Sequence, residues 1–195
     1  RDVSVSQWHK SLHAGKITAM EQRNAKQSLR QTLLSQRPQP SVGLAEQLKA
    51  VVAAQAAKSI ASYQPLYSEP DVSQFNAWAE ERFEVYYPRV DGDRLVFAKP
   101  PMIAGKFGLS EPTGLQAEIS EIDLVLVPAL AVDLEGNRLG KGKGFYDRAL
   151  IGPARENLYA VVFDSEVLPQ VPSEPHDQQV TGIITPTRAI RISTR

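Results

Sequence analysis

The sequence predicts one α/β domain: three layers, Rossmann-like, with helices flanking a mixed but largely parallel sheet. Three observations carry this. Helix-period and strand-like segments alternate along the chain, the pattern of sheets whose strands are joined by helical crossovers. Residues 122–130 are strongly apolar, broken only by Asp123, and do not alternate, as expected of a strand buried on both faces of a parallel sheet. A glycine-rich segment follows that run, at the strand end where open α/β sheets receive ligands. At 195 residues, with no long linker and no internal repeat, the chain fits a single core.

Each element has a local reason. Residues 1–17 are polar around a lone Trp8 and read as an arm or extra helix ahead of a domain spanning 18–195. Thr18 and Glu21 have capping-box spacing, and Met20, Ala25, Leu29 and Leu33 recur at helical spacing. This predicts a helix to Gln36, ended by Pro38 and Pro40. Ser41 is placed to cap a second helix, with Leu44, Leu48, Val51 and Val52 on one side. Residues 59–66 read as a strand interrupted by Pro65, and Ser68-Glu69-Pro70-Asp71 as a helix start. That helix buries Val72, Phe75, Ala79 and Phe83. Residues 83–88 and 95–99 form a hairpin around Asp91-Gly92, and residues 100–114 a loop rich in glycine and proline. A helix from Tyr146, a strand at 159–163 and a last strand at 182–185 complete the order.

Composition excludes several classes. Twenty-two basic residues balance twenty-two acidic ones, so the basic excess of a nucleic-acid or membrane-surface binder is missing. Cysteine is absent, which removes disulfides, thiolate metal sites and cysteine nucleophiles. Three histidines (His9, His13 and His176) leave little for a histidine-built metal site. No apolar run approaches the roughly 18 residues of a membrane span, and the expected location is the cytoplasm.

The richest segment is residues 127–148. Gly140, Gly142 and Gly144 alternate with Lys141 and Lys143, just before a helix. Alternate glycines let backbone N–H groups turn toward an anion, and Arg138 and Arg148 add positive charge. It is neither a Walker A loop nor a dinucleotide fingerprint, since both spacings fail. A solvated basic hairpin explains the composition equally well; position after the most buried strand favours a polyphosphate cradle. Asp147 suits a divalent cation bridging phosphates, or simply a helix-start acid.

The stretch Asn137-Arg-Leu-Gly-Lys-Gly-Lys-Gly-Phe-Tyr-Asp-Arg148, reached through Val127-Pro128 and Asp133, resembles the signature of the 5-formyltetrahydrofolate cyclo-ligase (methenyltetrahydrofolate synthetase) family. Further matches follow in order: Lys26-Gln-Ser-Leu-Arg30, Glu69, Pro88-Arg89, Gly108-Leu-Ser-Glu-Pro112 and His176-Asp177. Two positions depart from the family pattern. Thr181-Gly182 stands where an aspartate is usual, and Phe145-Tyr146 where Tyr-Tyr is usual.

The resemblance implies ATP- and Mg²⁺-dependent cyclisation of 5-formyltetrahydrofolate by a monomer acting on small molecules. It assigns ATP to Lys26, Gln27, Ser28, Leu29 and Arg30, and to Arg138, Leu139, Gly140, Lys141, Gly142, Lys143, Gly144, Phe145 and Tyr146. Folate falls to Gln64, Glu69, Glu111 and the central loop from Lys141 to Phe145. Lys143, Arg138 and Tyr146 carry the chemistry and Asp147 and Asp177 hold the metal; His176 has the type of a catalytic acid or base, with orientation of Asp177 the preferred role. Read without the resemblance, Lys26 and Arg30 are a solvated basic face, Glu69 a helix-dipole acid and Tyr146 a core aromatic. Competing readings are a phosphate-binding isomerase or coenzyme A transferase of similar architecture, and a folate or nucleotide binder without chemistry.

Overall fold

The computed structural model describes residues 19–37, 39–105, 110–151 and 156–192. In chain order the strands are β1 (Ser59–Ala61), β2 (Glu84–Asp91), β3 (Arg94–Ala98), β4 (Met102–Ala104), β5 (Ser110–Pro112), β6 (Gln116–Ala117) and β7 (Leu124–Pro128). Then come β8 (Ala131–Val132), β9 (Arg138–Leu139), β10 (Leu158–Val161), β11 (Gly182–Ile184) and β12 (Ala189–Arg191). The α-helices are α1 (Ala19–Ser35), α2 (Leu44–Gln55), α3 (Ser73–Glu80) and α4 (Phe145–Ala149).

Eight strands form one sheet in the order β12-β11-β10-β7-β1-β2-β3-β6. The five from β11 to β2 run parallel, and antiparallel strands close both edges. The alternation of side chains along a strand divides the core in two. Ile60, Val85, Tyr87, Leu124, Leu126, Tyr159 and Val161 face α2 and α3. Ala61, Tyr86, Val125, Val127, Leu158 and Ala160 face the other way, toward α4 and Leu150. Strand β7 is paired on both edges by β1 and β10 and covered on both faces by the two core clusters, which explains its unbroken apolar run.

A third cluster positions the site. Leu29 and Leu33 of α1 pack on Leu130, Ala131, Leu139 and Val171, seating α1 against the β8–β9 hairpin. Asp133 lies inside that hairpin, fully buried, and accepts N–H donors from Glu135, Asn137, the Asn137 amide and Val171 at 2.9–3.0 Å. Four donors compensate the burial of this carboxylate.

Several expectations need correction. The first strand stops at Ala61, since the chain beyond it turns to present Ser62 and Tyr63 to buried partners. Ser68 does not cap α3; that helix starts at Ser73, whose N–H is taken by the Asp71 carboxylate at 2.9 Å. The Ser41 hydroxyl accepts the Asp71 N–H instead of capping α2, which begins after the left-handed Gly43. The stretch 100–114 contains the β4–β5 hairpin, and β12 follows the strand expected to be last. Thr18 and residues 1–17 lie outside the described residues.

Candidate active site

Strand order reverses at β1 and β7. The chain leaves β1 toward β2 and returns to β7 on the other side, so a crevice opens beyond their carboxyl ends. The loop after β1 brings Gln64 and Glu69, and the segment after β7 brings residues 138–147. The two meet where Lys141 Nζ lies 2.7 Å from Glu69 Oε1. Glu69 is 8% exposed despite its charge, and its other oxygen accepts the Leu66 N–H at 3.0 Å. Glu69 is therefore a placed acid, set by its own turn.

The glycine loop is shaped by left-handed backbone at Gly142 (φ 95°) and Gly144 (φ 66°), a conformation that side-chain-bearing residues rarely adopt. Arg30 reaches it from α1, donating from Nε to the Gly140 carbonyl at 2.8 Å and lying under Gly142. Arg148 braces the far side by donating to the Lys143 and Asp93 carbonyls. Lys143 itself is exposed on the loop. Leu29 and Leu139 are packing residues, while Gln27 and Ser28 sit on the exposed side of α1. Phe145 lies beneath the Arg148 guanidinium, 5.2 Å from ring centre to carbon.

Arg138 is almost fully buried and donates to Asp147 Oδ1 at 2.6 Å, leaving its Nε without a partner. The Tyr146 hydroxyl is likewise buried and unpaired, with its ring edge-on to Phe97 at 6.4 Å. Burial and then the Glu69 charge push the Tyr146 phenol well above the ordinary tyrosine value, so it stays protonated. Tyr63 is raised by the same two influences, in the same order. Two buried donors without a partner beside the glycine loop are uncommon in a folded protein.

Lys26 takes two carboxylates, Glu174 at 2.8 Å and Asp177 at 2.5 Å. The Lys26 hydrogen bond holds the Glu174 carboxyl below the usual glutamate range. Asp177 also accepts the Glu174 N–H at 2.6 Å, whereas His176 Nε2 stands 3.8 Å away and is largely exposed. Lys26 and the Glu174 N–H, not His176, therefore orient Asp177. Among the described residues, Glu174, His176 and Asp177 offer ligand atoms within 4.8 Å of one another. Asp147 stands outside that group but adjoins it, accepting the Gln178 N–H at 3.4 Å.

Glu111 lies on β5, opposite Ile103, and Arg89 holds the neighbouring Pro112 carbonyl at 2.9 Å. Gly108 lies outside the described residues. Sequence reasoning missed Glu174, since a lone acid carries no local signal. The departure at Thr181-Gly182 falls at the start of β11, bonded to Leu158 at the start of β10, the sheet end opposite the crevice. A side chain at Gly182 would lie 2.1 Å from the Tyr159 ring.

Fold and site together define an α/β protein with a cation-rich, glycine-lined crevice at the carboxyl edge of its sheet, as in phosphate-handling enzymes. The family model for 5-formyltetrahydrofolate cyclo-ligases matches residues 16–186, and the chain belongs to that family. It is 40% identical over 147 residues to the 5-formyltetrahydrofolate cyclo-ligase of Mycolicibacterium smegmatis, covering 68% of this chain and 76% of the relative. A probable 5-formyltetrahydrofolate cyclo-ligase of Schizosaccharomyces pombe is 30% identical over 134 residues, 57% of this chain and 66% of the relative. The solved Aquifex aeolicus 5,10-methenyltetrahydrofolate synthetase superposes with a TM-score of 0.75 at 26% identity, over 87% of this chain and 94% of that one.

Proposed function

We propose that this chain closes 5-formyltetrahydrofolate to 5,10-methenyltetrahydrofolate, using ATP and releasing ADP and phosphate. The observation that carries the reading is the Glu69–Lys141 pair across the reversal of strand order, joining an acid suited to pterin N–H donors to a phosphate-shaped loop. Membership of a ligase family weighs against the isomerase, transferase and non-catalytic readings.

A formamide carbonyl is a weak electrophile and its oxygen a poor leaving group. Transfer of the ATP γ-phosphoryl group to the formyl oxygen solves both, releasing ADP. N10 then attacks the activated carbon and loses its proton, and the oxygen departs as phosphate. Such transfers need positioning and charge neutralisation more than covalent help. The N–H groups around Gly142 and Gly144 and the Lys143 ammonium serve the phosphates, and the spare Arg138 Nε donor adds to them. Tyr146, held neutral, donates its hydroxyl proton in a hydrogen bond to the reacting oxygen or a phosphate oxygen. Lys141, tied to Glu69, sets the distance between the folate and phosphate ends.

The carboxylates suit Mg²⁺, a hard cation that prefers oxygen donors. Asp147 and Asp177 would hold it, with Glu174 beside them and Lys26 already marking the point where positive charge is favoured. When bound, the ion would supply positive charge to offset that of the phosphates. Action in the cytoplasm as a monomer belongs to the same reading. The test is the absorbance of the methenyl product, with ATP and Mg²⁺ each omitted in turn. Product only with both supports the reading; product without ATP, or none at all, overturns it.

A further inference from the structure

We infer that Arg37 is a positioning residue for the folate side of the site, fixing the two segments that carry Glu69 and Lys141; this rests on the function proposed above. Its side chain is fully buried and remote from the glycine loop in sequence. Nη1 donates to the Ser68 carbonyl at 3.0 Å, the oxygen of the very peptide unit that supplies the Glu69 nitrogen. Nη2 donates to the Ala129 carbonyl at 2.6 Å, just beyond β7 on the path to the hairpin and the glycine loop. Nε and Nη2 fork onto the two Glu166 oxygens, each at 2.6 Å. Glu166 is in turn fixed by the Phe163 N–H at 2.9 Å, and the Phe163 ring lies 5.2 Å below the guanidinium.

One planar group thus ties the loop after β1 and the exit of β7 to a support at the end of β10. A buried ion pair is weak evidence for stability, since apolar residues of similar volume commonly serve as well. What apolar residues, or a lysine, cannot supply is several donors at fixed angles. The two anchored carbonyls belong to the segments whose side chains meet in the Glu69–Lys141 pair. The guanidinium is therefore used for geometry, and loosening it should misplace Glu69 first.

Steady-state kinetics of Arg37→Lys, which keeps the charge opposite Glu166 but loses the fork, provide the test. The KM for 5-formyltetrahydrofolate should rise about tenfold, the equivalent of roughly one lost charged hydrogen bond, with the KM for ATP within about twofold. A purely structural residue would lower the active fraction, and so the apparent kcat, with both KM values unmoved; that result overturns the inference, as does an equal rise in both. If Arg37→Lys fails to fold, Phe163→Leu carries the test with a smaller split in the same direction, and equal KM values overturn it. Wild-type protein that forms no methenyl product would remove the proposed function instead. Calorimetric titration with 5-formyltetrahydrofolate, which needs no turnover, then decides the role of Arg37 by the same comparison.

Discussion

The Lys141 ammonium meets the Glu69 carboxylate at 2.7 Å, linking the loop after β1 to the loop after β7 at the reversal of strand order. The pair marks where the two halves of the site join. Its chemistry divides the crevice. In the function proposed above, Glu69 serves the folate's donor groups and the glycine loop serves the phosphates.

Glu69→Gln should therefore weaken 5-formyltetrahydrofolate more than ATP. The expected loss for folate is about tenfold in Kd, the scale of a charged hydrogen bond made neutral. Separate calorimetric titrations measure it, and a fall in ATP affinity with folate affinity intact would reverse the assignment of sides.

Lys143→Ala should reduce turnover by about 10²-fold or more, as for other lost electrostatic stabilisers. Circular dichroism establishes that the variant is folded. Wild-type turnover in folded protein would remove Lys143 from the phosphate cradle.

Asp147→Asn should raise the Mg²⁺ concentration needed for half-maximal activity, because a hard cation loses an anionic oxygen. The same change deprives Arg138 of its 2.6 Å partner. A Mg²⁺ titration at fixed ATP reads the effect, and an unchanged requirement would count against the ligand assignment.

Asp133→Asn is nearly isosteric, yet it turns an amide N–H₂ toward N–H donors that now point at carboxylate oxygens. The expected cost is about 1–3 kcal/mol, the penalty for buried donors left without acceptors. It should appear as a lower urea midpoint with the slope unchanged. An unaltered midpoint would show that Asp133 is not what holds the hairpin.

Asp123 offers a pH test away from the site. Its carboxylate accepts the Lys58 and Ser59 N–H groups at 2.8 and 3.0 Å, and these bonds hold its carboxyl below the usual aspartate value. A depressed folded-state value contributes stability above the unfolded value, about 3.9, that is lost as pH falls through the folded one. Asp123→Asn should thus lower the melting temperature at pH 7 and converge with wild type well below pH 3.9. Thermal melts of both proteins across that range decide it; a gap that persists in acid would contradict the cause.

Local chemistry determined much of this protein. The apolar run became β7 because a central parallel strand meets no water on either face. Helical spacing placed Lys26 and Arg30 on one side of α1, and the alternating glycines were legible because a left-handed turn needs them at Gly142 and Gly144. Only the tertiary structure decided the partners. Glu174 and Asp177 took Lys26, and Arg37 joined Ser68, Ala129 and Glu166, through contacts between segments far apart in the chain. It also carried Thr181-Gly182 to the sheet end away from the crevice, although the position is close in sequence to His176-Asp177. Sequence periodicity records which face of an element is buried, whereas the partner of a buried charge depends on which elements the sheet order makes neighbours.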